Sequence, residues 1–141
     1  MNRTIKTALV VLCVFMTAET ATAAGKNTKK FDWSRVMDAI IMVESNGDAN
    51  AVCGTQCGAM QITPIMVREC NNILKKQNKK KRFTLNDRFS IAKSKEMFLL
   101  FQSYHNPTNN IEKAIRSWNG GLNYSIKHTQ KYYNKVMKAM K

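Results

Sequence analysis

The chain has 141 residues, 44% of them hydrophobic and 23% charged, and 23 Lys and Arg outweigh 9 Asp and Glu for a formal net charge of +14. The length admits one small domain with a single core, and no repeat or Pro-rich linker marks a second. So basic a balance suits an anionic partner such as nucleic acid, acidic lipid or a wall polymer.

At the N-terminus Arg3 and Lys6 precede the apolar run "ALVVLCVFM" and the small-residue stretch "TAETATAAG". That order is the pattern of a secretory signal peptide over 1–23, with Ala21-Thr22-Ala23 as the cleavage site and 24–141 as the mature domain. The run is too short to span a bilayer comfortably, and no small residues precede Cys13 as they would a lipidated cysteine. A protein exported across the inner membrane, periplasmic or extracellular, monomeric and not inserted in the membrane after cleavage, is expected.

A first helix is predicted over 33–45. Trp33, Val36, Met37, Ile40 and Ile41 recur at helical spacing, Asp32 is placed to cap the start, Phe31 to staple onto Val36, and Asn46-Gly47 to stop the helix. The next inward position is Glu44. It lies in the last turn, where the helix dipole disfavours negative charge, and on a face that favours the neutral acid. Both effects raise its pKa, as a general acid working near neutral pH requires.

The glycine-punctuated segment "SNGDANAVCGTQCGAMQIT" is too irregular for a strand pair and too short for a helix. Thr63-Pro64 opens a second helix carrying Met66, Cys70, Ile73 and Leu74. The basic run "KKQNKKKR", 75–82, reads as a solvated loop. A third helix is predicted from about Asn86, with Phe89, Ala92, Met97, Leu100, Phe101 and Tyr104 along it, ending before Pro107. Asn109 or Asn110 caps a fourth with Ile111, Ala114, Ile115 and Trp118, closed by Gly120-Gly121. A fifth, over roughly 123–139, carries Thr129, Tyr132, Val136, Met137 and Met140. No segment alternates with strand period, so the fold class is all-α.

Three cysteines remain in the mature domain: Cys53, Cys57 and Cys70. Export permits one disulfide with one thiol left over, and all three pairings stay open. His105 and His128 lack paired ligand spacing, so neither metal nor cofactor is expected.

Three stretches spend glycines and uncharged polar groups where a structural segment would not: "ES" at 44–45, "GAMQITP" at 58–64 and "SWNGG" at 117–121. With "TQKYYNKV" at 129–136 they resemble the lytic transglycosylase domain related to goose-type lysozyme. That family has Glu-Ser at a helix end, Gly-Leu-Met-Gln-Ile-x-Pro, Tyr-Asn-Ala-Gly and Thr-x-x-Tyr-Val-x-x-Val. Here Ala59, Trp118 and Gly121 are mild departures, and the resemblance covers roughly 31–138. It implies a lysozyme-like fold with peptidoglycan as partner, and excludes nucleic acid. Glu44 would protonate the glycosidic oxygen between N-acetylmuramic acid and N-acetylglucosamine. Ser45, Met60, Gln61, Trp118, Asn119 and Tyr132 form the implied substrate-binding set. Met60 and Gln61 would line the cleft, where glycines let backbone amides approach the sugar, and Tyr132 would contact Glu44.

Asp48 and Asp87 are poor candidates for the second carboxylate of an ordinary glycosidase. A non-hydrolytic outcome, closing a 1,6-anhydro ring, is therefore expected. The alternatives are a muramidase in which Asp48 helps a water and a non-catalytic wall-binding module. The family's serine about nine positions after the glutamate falls by count on Cys53, whose thiol is the poorer hydrogen-bond partner. Relatives of this size often serve a secretion or conjugation apparatus.

Overall fold

The computed structural model describes residues 30–141; the leader read at 1–23 lies outside them. Five helices appear in order, α1 (Ser34–Ser45), α2 (Pro64–Lys76), α3 (Ile91–His105), α4 (Ile111–Gly120) and α5 (Ile126–Ala139). Helix α5 packs on α1 and α4, and α2 packs on α3. Two minute strands, β1 (Val52–Cys53) and β2 (Gln56–Cys57), pair antiparallel between α1 and α2.

Several helix ends are set by the predicted local signals. Thr63 accepts a hydrogen bond from the Met66 N–H with Pro64 at the first helical position, and Asn110 accepts one from Lys113. Asn46 enters the left-handed region at φ 54° and closes α1 through its N–H to the Met42 carbonyl. The start of α1 differs by one residue: Trp33 occupies the cap and Asp32 accepts from the Ser34 N–H at 2.9 Å. The Phe31 ring lies edge-on to Trp33, 4.6 Å between centroids.

Two predicted segments change. The glycine-rich stretch does hold a strand pair, Val52 opposite Cys57 and Cys53 opposite Gln56, but two-residue strands are too short for any alternation to register. The third predicted helix splits into a 3-10 turn, Leu85–Phe89, and α3, because Ser90 adopts an extended conformation and caps α3 through Lys93. The split rotates the inward face to Ser94, Met97, Phe98, Phe101 and Gln102, leaving Ala92 and Tyr104 exposed.

The core is continuous, with Ile40, Met60, Met97, Phe98, Ile115 and Val136 fully buried. Aromatic contacts run through it from Trp33 to Phe98 at 5.6 Å and on to Trp118 at 5.2 Å, ending at the cleft described below. The permitted disulfide does not form: Cys53, Cys57 and Cys70 are all free. In the hairpin register Cys57 shares a face with Val52 and Cys53 with Gln56, so the two thiols of the hairpin point to opposite sides. The Cys70 thiol is buried against the Met97 carbonyl, and desolvation pushes its pKa up to about 12. Among the described residues no helix is long and apolar enough to cross a membrane.

Candidate active site

Glu44 stands half-buried in the last turn of α1, at one wall of a cleft of about 350 Å³. Tyr132, arriving 88 residues later on α5, donates its hydroxyl hydrogen to Glu44 Oε1 at 2.7 Å. Burial raises the pKa of Glu44 above the usual carboxylate range; the Tyr132 hydrogen bond and the positive charge of Lys135 offset part of that rise. Tyr132 is itself pushed well up by burial and by the neighbouring carboxylate, so it stays a phenol and a donor. The result is a carboxyl group whose neutral form is favoured by burial and which is oriented by the Tyr132 hydroxyl.

The loop after β2 builds the next part of the wall. Cys57 and Ile62 exchange backbone hydrogen bonds across the turn between them, and Gln61 sits inside that turn at φ 49°. A left-handed conformation costs a non-glycine residue roughly 1 kcal/mol. The Gln61 side chain holds it there, Nε2 donating to the Gly58 carbonyl at 2.9 Å and the Ala51 carbonyl at 3.3 Å. Gly58 is required for a reason other than sugar access: a Cβ there would lie 1.7 Å from the Arg88 carbonyl oxygen, at φ +78°. Arg88, 8% exposed, ties this loop to the hairpin turn before it, donating to the carbonyls of Ile62 and Thr55 at 3.4 and 2.9 Å. The expected approach of a sugar to Gly58 is thus replaced by the approach of the protein's own backbone.

Further lining comes from α2, α3, the end of α4 and the turn after it: Met66, Glu69, Phe101, Trp118, Asn119 and Leu122. Trp118 presents its ring to the cleft and anchors it by donating from Nε1 to the Met60 carbonyl at 3.2 Å. Asn119 is exposed on the rim. The structure thus brings Glu44, Gln61, Trp118, Asn119 and, through Glu44, Tyr132 together in one place.

Two residues of the implied binding set sit elsewhere. The Met60 side chain is 0% exposed and packs in the core, so only its backbone serves the cleft, by holding Trp118. The Ser45 hydroxyl donates to the Ala59 carbonyl at 2.9 Å, tying the end of α1 to the cleft loop, which spends its donor inside the protein. Apolar or helix-end position in sequence does not distinguish a wall from the layer behind it. Cys53 is exposed and is not part of the lining, to which the hairpin contributes Gln56 instead. Asp48 is exposed and accepts from the Asn50 N–H at 2.8 Å, capping its own turn.

Glu69 is the carboxylate the sequence reading missed. It lines the cleft from α2, and His105 of α3 donates from Nε2 to Glu69 Oε1 at 2.8 Å, since an ionised carboxylate can only accept. Its signal was present but faint: Ile65, Met66 and Glu69 form a second partly apolar face beside the core stripe of α2. Arg116 was equally hidden. At 3% exposure it donates to Glu112 Oε1, the Ile126 carbonyl, Thr129 Oγ1 and Gln130 Oε1, and stacks on Tyr133 at 4.4 Å, binding α4 to α5. Among the described residues no three His, Cys, Asp or Glu side chains gather as metal ligands.

Five helices around one core, with a half-buried carboxyl group of raised pKa in the wall of a cleft, fit a small lysozyme-like domain. The chain belongs to the family described as the transglycosylase SLT domain, whose model matches residues 21–141. That membership carries peptidoglycan as substrate and lytic transglycosylase as the class of activity. No curated protein and no solved structure gave a match.

Proposed function

We propose that the protein is an exported lytic transglycosylase that cleaves the bond between N-acetylmuramic acid and N-acetylglucosamine with Glu44 as its one catalytic acid. The observation that carries this is the Glu44–Tyr132 pair, a carboxylic acid with raised pKa bonded to a neutral donor at the cleft wall. Protonated Glu44 gives its proton to the leaving glycosidic oxygen while the substrate's own 2-acetamido group stabilises the cation. The carboxylate so formed then accepts the proton of the C6 hydroxyl, and the C6 oxygen attacks C1 to close a 1,6-anhydro ring. No water enters the product. Asn119 supplies hydrogen bonds, Gln61 an acceptor in its Oε1, and Trp118 an apolar face to the bound sugars.

A hydrolytic reading needs a second carboxylate in reach, and Glu69, not Asp48, is its candidate. Its Oε1 already accepts a hydrogen bond from His105, as Glu44 Oε1 does from Tyr132. Export rests on the N-terminal basic, apolar and small-residue order. Service to a secretion or conjugation apparatus draws no support from any described residue and is not part of the proposal.

Mass spectrometry of digested sacculi decides between the outcomes. Muropeptides one water lighter than lysozyme products are expected. Reducing-end muramic acid as the main product would establish hydrolysis, and an absence of soluble fragments would leave a wall-binding module.

A further inference from the structure

Among the described residues each carboxylate meets at least one donor of the protein itself. Asp38 pairs with Lys95, Glu96 with Lys81 and Lys93, and Glu112 with Arg116. Asp32, Asp48 and Asp87 accept backbone N–H groups of Ser34, Asn50 and Thr84. Glu44 and Glu69 are the two described carboxylates that line the cleft. Each is held by an aromatic side chain, Tyr132 or His105, that leaves one carboxylate oxygen without a protein donor. No lysine or arginine lines the cleft, although the chain carries 23 of them.

Glu44 has its use in the proposed chemistry. Glu69 has none there, yet its side chain is only 30% exposed, and its partner His105 is 17% exposed with its ring tilted against Phe101 at 4.7 Å. Such packing fixes the carboxylate and keeps it partly dry. Met66 and Phe101 add an apolar surround that strengthens its attraction for a cation. A neutral sugar does not need a fixed charge at this point, and an anionic group would be repelled by it.

We propose that Glu69, positioned by His105, receives a primary ammonium group carried by the substrate, so that the cleft selects glycan strands bearing free amines. The inference rests on the cleft being the peptidoglycan site. Two sources share that chemistry: an amine on the peptides attached to the glycan, and a sugar amine left without its acetyl group.

Binding, not turnover, provides the test, with Glu44→Gln as the background so that bound fragments survive. Soluble peptide-bearing glycan fragments are compared with the same fragments after chemical acetylation of their amines. Acetylation is expected to weaken binding about tenfold. Adding Glu69→Gln should weaken binding of the free-amine fragments to the same level and abolish the difference between the two preparations. His105→Gln retains a donor for Glu69 and should keep the preference. Fragments stripped of peptide by an amidase separate the sources: weak binding assigns the amine to the peptide, and tight binding that acetylation then removes assigns it to the sugar. Equal binding of free and acetylated fragments would overturn the proposal, and so would a preference that survives Glu69→Gln in folded protein. A wild-type protein that releases no fragments from sacculi would overturn the catalytic reading instead, while the binding comparison would still decide the role of Glu69.

Discussion

At the scale of single residues, Glu44 ties stability to pH in a definite direction. Its folded pKa is raised, so the folded state binds this proton more tightly than the unfolded chain does. The stabilisation is full below the ordinary carboxylate pKa of 4.5 and is lost as pH rises through the folded value. Glu44→Gln, which cannot ionise, should therefore melt higher than wild type at neutral pH, and the difference should vanish on acidification. The same variant should lose on the order of 10²- to 10⁴-fold in fragment release, the usual contribution of a general acid. Tyr132→Phe removes a bond that lowers the Glu44 pKa. The high-pH limb of its rate profile should shift upward, and its rate should drop roughly tenfold, about the worth of one hydrogen bond to a charged group. Tyr133→Phe is the control, because Tyr133 stacks on Arg116 and is not hydrogen-bonded to Glu44.

At the scale of helices, the Glu44–Tyr132 pair depends on how α5 is seated, because Tyr132 reaches Glu44 only if α5 keeps its register against α1 and α4. Arg116 is the clamp. Four hydrogen-bonded partners and one aromatic face meet a planar guanidinium, a set that a lysine ammonium cannot reproduce. Gly120 assists from the same helix, since a Cβ there would lie 2.8 Å from the Thr129 methyl group. Arg116→Lys should cost about 2 kcal/mol in chemical denaturation and lower fragment release with an upward shift of the high-pH limb like that of Tyr132→Phe. A loss of stability with an unaltered pH profile would separate the clamp from the Glu44–Tyr132 pair.

At the scale of the whole molecule, the basic charge and the catalytic cleft are separate. The basic stretch from Lys75 to Arg82, the last two residues of α2 and the loop after it, is exposed and contributes nothing to the cleft lining. Long-range attraction to an anionic wall from such a surface is screened over about 10 Å at 0.1 M salt. Replacing Lys79, Lys80 and Lys81 with glutamine should weaken cosedimentation with intact sacculi at low salt and flatten its salt dependence. Turnover of short soluble fragments should stay nearly unchanged; its loss in folded protein would place the loop in the cleft.

What the sequence determined by itself is local. Helical spacing and end signals such as Thr63-Pro64, Asn110 and Asn46 specify the helices, because capping and amphipathic burial are decided within a turn or two of the chain. The same spacing made Glu44 conspicuous, as a carboxylate where the stripe called for an apolar residue. What only the tertiary structure decided is which inward positions face a cleft and which face the core, since both look alike from within one helix. It sent Met60 into the core and Ser45 to the Ala59 carbonyl, and it broke the predicted third helix at Ser90. It also brought His105 to Glu69, 36 residues away, and Tyr132 to Glu44, 88 residues away. Periodicity records how a segment meets a core, but a pair of polar groups from distant segments becomes a site only when packing removes both from water and leaves them each other as partners.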